Sequence, residues 1–348
     1  MQTDLWLIGG LGTIMGLVLL MPFLSKRVEE DLEAFLLIMG IFSVSVSKLW
    51  SWHLLHEAVL DPIKITLAVL IAGFLFRLVR PKLHNWTSAI AKRFGYGALM
   101  FLVVVVLGLL SSVITAIIAA LILVEIVSAM KLHRKTEVRI VIIACFAIGL
   151  GAVLTPLGEP LATIAIAKLK GPPHNADFFF LLRMLAVWII PPVFALGILA
   201  TFLEKKVISR TELKEDKPEY IRDILARTLK VYIFVFALVL LGTGFTPLVE
   251  RYLVNASPKA LFWVNIISAI LDNATLTAAE ISPNMPAATI QCILMGLLIA
   301  GGMLIPGNIP NIICANKLSI KSKEWAVFGA PLGLAIMVVF FIIILFVL

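Results

Sequence analysis

Charge is what this sequence has least of: Asp, Glu, Lys and Arg make up 14% of its 348 residues, where a water-soluble domain carries about 25%. Long polar stretches are also missing. The longest, Glu204 to Lys230, has the length of a loop, which excludes a separable soluble domain. There are three cysteines, Cys145, Cys292 and Cys314, all inside apolar runs, so a disulfide framework and a zinc site are excluded. The five histidines, His53, His56, His84, His133 and His174, are spaced unlike a metal site and are expected in loops. The first ten residues, MQTDLWLIGG, lack a basic segment and a small-residue cleavage site, so they are expected to open an uncleaved span.

What remains is apolar. Hydrophobic residues reach 61% and the mean hydropathy is +1.06, with runs of about 18 or more apolar residues, the length a helix needs to cross a bilayer. The sequence predicts an all-α polytopic membrane protein with the lipid bilayer as its main partner. The net charge of +8 does not argue for nucleic acid, because the bases sit in short loops, where topology signals lie.

Apolar segments run over 5–24, 33–49, 63–79, 97–130, 138–169, 178–203, 230–248, 258–283, 286–316 and 325–348. Five basic clusters hold 22 of the 29 Lys and Arg residues: Lys26–Arg27, Arg77 to Arg93, Lys131 to Arg139, Lys205 to Lys230, and Lys317 to Lys323. If all five are cytoplasmic, segment 97–130 must enter and leave on one side, as a re-entrant hairpin with its tip near Ser111-Ser112-Val113-Ile114-Thr115. Segment 258–283 must then do the same from outside, with its tip near Asp272-Asn273-Ala274-Thr275. Both termini fall outside on this count.

Segments 138–169 and 286–316 each carry a break, GAVLTPLGEPLAT at 151–163 and GGMLIPGNIPN at 301–311. Aligned on proline, both read Gly-x4-Pro-x3-Pro. Paired prolines with glycine unwind a helix, which lipid does not tolerate unless the unwound backbone lines a buried cavity. The chain therefore divides into scaffold helices (1–62), repeat 1 (63–203), a cytoplasmic loop (204–229) and repeat 2 (230–348). The two repeats have inverted topology, each with a re-entrant hairpin and a broken transmembrane helix. Inverted repeats with discontinuous helices mark secondary transporters.

Two carboxylates fall in these breaks, Glu159 and Asp272. An ionisable group at mid-membrane costs at least about 2.5–3.5 kcal/mol on insertion, which makes it a functional candidate. Hard cations take carboxylate, amide and carbonyl oxygens, and a buried carboxylate also takes a proton, so one acid can exchange Na+ for H+ by competition. The expected Na+ ligands are Glu159, Asp272, Asn273 and Asn308, with Ser111, Ser112, Thr155, Thr163, Thr275 and Asn311 completing the site. Each neutral residue also has a structural reading, the hydroxyls bonding back to a carbonyl and the asparagines capping half-helices. Glu125 and Glu280 are expected as solvated or ion-paired residues. No cofactor is expected beyond transported Na+ and H+. Nor is an enzyme, since Ser111 and Ser112 have no transmembrane His or Lys to serve as base.

The pairing of TPLGEPLAT (155–163) with GGMLIPGNIPN (301–311), each behind a polar hairpin tip, resembles the ion transporter superfamily. Its members include sodium/proton antiporters of the NhaD type, citrate and dicarboxylate carriers, and arsenite permeases. The chain looks most like a small prokaryotic branch of cation transporters. The resemblance implies an antiporter of the inner membrane, with Glu159 and Asp272-Asn273 at the matching acidic positions. It also implies a homodimer and an elevator-like movement. A Na+-coupled symporter of a small carboxylate or other anion stays open as the alternative.

Overall fold

The computed structural model describes residues 2–25, 27–28, 31–130, 132–203, 221–252, 257–271 and 273–347. These residues form helices and connecting turns, with no strand among them. In chain order the helices are α1 (Gln2–Leu24), α2 (Leu32–Ser47), α3 (Trp52–Ile114), α4 (Ala116–Met130), α5 (Arg134–Ala152), α6 (Pro160–Leu169) and α7 (Phe180–Thr201). They continue as α8 (Ile221–Tyr252), α9 (Pro258–Val264), α10 (Asn273–Glu280), α11 (Ala287–Gly301), α12 (Ile309–Leu318) and α13 (Ser322–Val347). Short 3-10 turns cover Asn265–Ala269 and Ile305–Gly307. Four helical stretches are long and apolar enough to cross a bilayer: Gly95–Ile114, Phe180–Thr201, Thr228–Leu248 and Ser322–Phe346. The protein is an all-α membrane protein.

Three expectations change. The 62/63 boundary falls inside α3, which starts at the Ser51 N-cap, where the serine hydroxyl accepts from Leu54 N. Pro62 does not break it. The expected span 63–79 and the basic stretch after it belong to this one helix, whose backbone leaves helical geometry only at Gly95 (φ 80°). His53, His56 and His84 therefore lie in a helix and not in loops. Residues 204–220 of the expected cytoplasmic loop lie outside the described residues, and the rest of it begins α8.

α2 and α8 are held together along a seam of small residues. Gly40, Ser43 and Ser47 of α2 face Ala237, Leu240 and Gly244 of α8, with Ser47 Oγ donating to the Gly244 carbonyl. Small side chains let two backbones approach where no hydrophobic drive separates protein from lipid. Lys230 on α8 closes one end of the seam with an ion pair to Glu33 at 2.5 Å. Arg183 on α7 donates to Asp177 on the preceding loop at 2.7 Å and holds that carboxyl below the usual carboxylate range.

At the centre lie α5 and α11. Every residue from Ile140 to Ala152 is buried, as is every residue from Cys292 to Gly301. Helices apolar all round belong in an interior, and these two are the first halves of the expected broken spans. Arg134, at the start of α5, ties the core together. Its guanidinium donates to Glu324 on α13 and Glu137, and to the Leu318 and Ser319 carbonyls ending α12. A cation suits that helix end. Arg134→Ala is expected to cost about 1–2 kcal/mol, since the cluster is partly exposed. Arg134→Lys is expected to recover only part of it, because lysine has no fork of donors. Thermal unfolding in detergent checks both.

Candidate functional site

α5 ends at Ala152 and α11 at Gly301. Seven non-α residues follow each (153–159 and 302–308), then a ten-residue helix, α6 or α12. The matching is residue for residue at a spacing of 149. Glu159 and Asn308 are the equivalent N-caps, with φ/ψ of −155°/159° and −153°/147°, and neither side chain caps its helix. This corrects the proline alignment, which sets Gly158 against Asn308. Proline is accommodated at either of the first helical positions, Pro160 opening α6 and Pro310 standing second in α12. Proline therefore marks a helix start only to within a residue.

The hairpin tips match in the same way. Thr115 (φ 76°) is the joint between the Gly95–Ile114 arm of α3 and α4, which pack together. Ser111 Oγ donates to the Ile148 carbonyl of α5 at 3.0 Å. Ser268 Oγ donates to the Leu297 carbonyl of α11 at 3.3 Å, and Leu297 is the residue 149 after Ile148. Ser268 lies 157 after Ser111, and α10 starts 157 after α4. That spacing sets Thr115 against Asp272, which lies outside the described residues.

The tips are bonded onto the breaks. Ala116 N donates to the Gly158 carbonyl at 2.8 Å, and Thr155 Oγ1 donates to the Ser112 carbonyl while accepting from Leu157 N. Thr163 Oγ1 donates to the Pro156 carbonyl at 2.6 Å, and Ser112 Oγ bonds back to Leu109. These hydroxyls answer carbonyls that the break and the tip leave open. In the second copy, Asn311 Nδ2 donates to the Gly301 and Leu304 carbonyls at 2.8 and 2.9 Å, and Trp325 Nε1 reaches the Gly302 carbonyl. Asn311 Oδ1 is buried without a hydrogen-bond partner. Asn273 Oδ1 accepts from Ser268 Oγ, and its Nδ2 has no partner. Thr275 falls within α10. Asn311→Ala strands one buried and one half-buried carbonyl and is expected to cost about 2 kcal/mol, read as a lower unfolding temperature.

The two halves of the chain also cross. α4 packs on α12 and α6 on α10, so the helix after each tip lies on the half-helix after the other break. Asn308 packs against Gly149 so closely that a Cβ there would come within 2.6 Å of Nδ2. Glu159 and Asn308 are each 7% exposed. The structure thus joins Ser111, Ser112, Thr155 and Thr163 around one break, Asn273 and Asn311 around the other, and carries Asn308 to the first broken helix.

Two further acids are buried. Glu280 is 2% exposed and Glu125 is 9% exposed, so neither is solvated. Glu280 accepts from Asn265 Nδ2 at 3.0 Å. Asn265 and Thr277, both fully buried, were not read from the sequence. The available signal was a pair of polar residues inside an apolar segment, one of them a turn before Glu280.

Fold and site together define a helical membrane protein whose polar residues converge on two breaks in its central helices. The chain belongs to the family described as a protein of unknown function (DUF1646), which matches residues 8–348. No curated protein matches it.

Proposed function

We propose that this protein is a secondary active transporter, not an enzyme, exchanging a monovalent cation, Na+, for H+ across a prokaryotic inner membrane. The observation that carries the reading is the matched pair Glu159 and Asn308, a buried carboxylate and a buried amide at the equivalent N-caps of α6 and α12, where two central helices break. Carboxylate and amide oxygens suit a hard cation, and the acid also takes the competing proton. The equal breaks, the shared 149 and 157 spacings and the crossed packing support two inverted repeats. On this reading the hairpins are re-entrant, the basic clusters are cytoplasmic and both termini lie outside. Hairpins and broken helices form the moving part, the remaining spans form the scaffold, and two copies form a dimer.

One observation favours Na+-coupled anion symport instead. Four short helices, α4, α6, α10 and α12, start at the tips and breaks, where helix N-termini carry partial positive charge, and Asn273 Nδ2 has no partner. Reconstituted vesicles separate the two. Dequenching of an internal pH dye on adding Na+ or Li+ supports exchange. Na+-dependent uptake of a labelled carboxylate, with no pH response to Na+ alone, overturns it in favour of symport.

A further inference from the structure

The second hairpin contains a polar cluster that the exchange reading does not use. Asn265 stands on the 3-10 turn that follows α9, while Thr277 and Glu280 lie one turn apart on the same face of α10. All three are at most 2% exposed. Asn265 Nδ2 donates to Glu280 Oε2 at 3.0 Å and to the Ile293 carbonyl of α11 at 3.3 Å, which joins the three elements. Three oxygens are left buried without a hydrogen-bond partner: Asn265 Oδ1, Thr277 Oγ1 and Glu280 Oε1.

Leaving one buried polar atom unsatisfied costs about 1–3 kcal/mol, and a buried carboxylate without a counter-charge costs more. Three such oxygens in one cluster define an electron-rich site. Among the described residues no lysine or arginine pairs with Glu280. Lys168 of α6 donates to the neighbouring Ile281 carbonyl at 3.1 Å. Glu280 is also the last residue of α10, where carbonyls point outward and favour positive charge.

We propose that Asn265, Thr277 and Glu280 form a monovalent-cation site, taking Na+ or Li+, inside the second hairpin. Carboxylate, amide and hydroxyl oxygens are hard ligands, unsuited to soft metals, and a single carboxylate balances a single charge. The ion joins the 3-10 turn to α10 and so holds the hairpin closed. The site lies about 10 Å along α10 from its N-terminus and does not rest on the exchange reading.

The test is equilibrium binding of radiolabelled Na+ to the full-length protein in detergent, with thermal unfolding in NaCl against choline chloride. Glu280→Gln is expected to remove one Na+ per chain and to reduce the Na+-dependent rise in unfolding temperature. Thr277→Val keeps the shape of the side chain and removes an oxygen that bonds nothing, so it is expected to fold normally and to bind Na+ about tenfold more weakly at this site. If both readings hold, wild type binds two ions, and Glu159→Gln and Glu280→Gln each remove one. If only the hairpin site exists, wild type binds one ion, lost in Glu280→Gln and kept in Glu159→Gln. Unchanged Na+ binding in a folded Thr277→Val protein overturns the proposal, whether or not Glu280→Gln folds.

Discussion

Glu159→Gln is expected to abolish Na+-driven proton movement in reconstituted vesicles while leaving the protein folded. Glutamine keeps the volume and one oxygen, and because Glu159 makes no capping hydrogen bond, α6 loses no cap. What it loses is the negative charge and the group that exchanges a proton for a cation. Without the carboxylate there is neither a charge to hold the cation nor a proton to exchange for it, so cation-driven dequenching should fall at least about 100-fold. Glu159→Asp keeps the acid and is expected to retain exchange with altered cation affinity. The sharper variant exchanges the two groups. Because Glu159 and Asn308 occupy equivalent N-caps, Glu159→Gln combined with Asn308→Asp moves the carboxylate to the matched position, and partial recovery of exchange is expected if both caps face one site. Full activity in Glu159→Gln sinks the exchange reading; no recovery in the double variant separates the two caps.

Much of this was legible because the physics is local. Gly and Pro clusters inside otherwise unbroken apolar runs have few structural meanings in lipid, and both breaks lie where 151–163 and 301–311 put them. The register between them was not legible, because proline constrains the start of a helix without fixing which residue is the N-cap. Only backbone geometry equates Glu159 with Asn308. Glu280 was misread for a different reason. Its place near the end of an apolar segment suggests an exposed mouth, but Asn265, fifteen residues earlier, turns back to hold it. That contact depends on α9 giving way to a 3-10 turn at Asn265, and no periodicity announces it. The joint at Gly95 shows the same limit from the other side. The apolar run 63–79 and the basic cluster from Arg77 to Arg93 read as separate pieces, yet nothing between them stops the helix before the glycine.

Gly151→Ala is expected to be among the most destabilising single-methyl changes at the described residues. Gly151, at the end of α5, lies directly on Gly108 of the Gly95–Ile114 arm. A Cβ there would overlap the Gly108 carbonyl oxygen, 2.7 Å from its carbon and 3.2 Å from Ser111 Oγ. Both obstacles are fixed. The Gly108 carbonyl accepts from Ser111 Oγ at 2.6 Å, and the same hydroxyl holds the Ile148 carbonyl on α5, so neither helix can yield without breaking the bond that docks the tip. Overpacking a tight interface costs about 1–3 kcal/mol, and a clash of main chain with main chain belongs at the upper end, about 3 kcal/mol for alanine and more for valine. Gly171, in the loop after α6, has no neighbour within 4 Å of its Cβ position, so Gly171→Ala is the matched control, expected within about 0.5 kcal/mol of wild type. Displacing the arm also pulls Ser112 from Thr155, so whatever fraction of Gly151→Ala folds should have lost transport along with stability. A Gly151→Ala protein that unfolds at the wild-type temperature would show that the tip does not rest on the break, and with that the closeness of hairpin and broken helix on which cation binding depends would be gone.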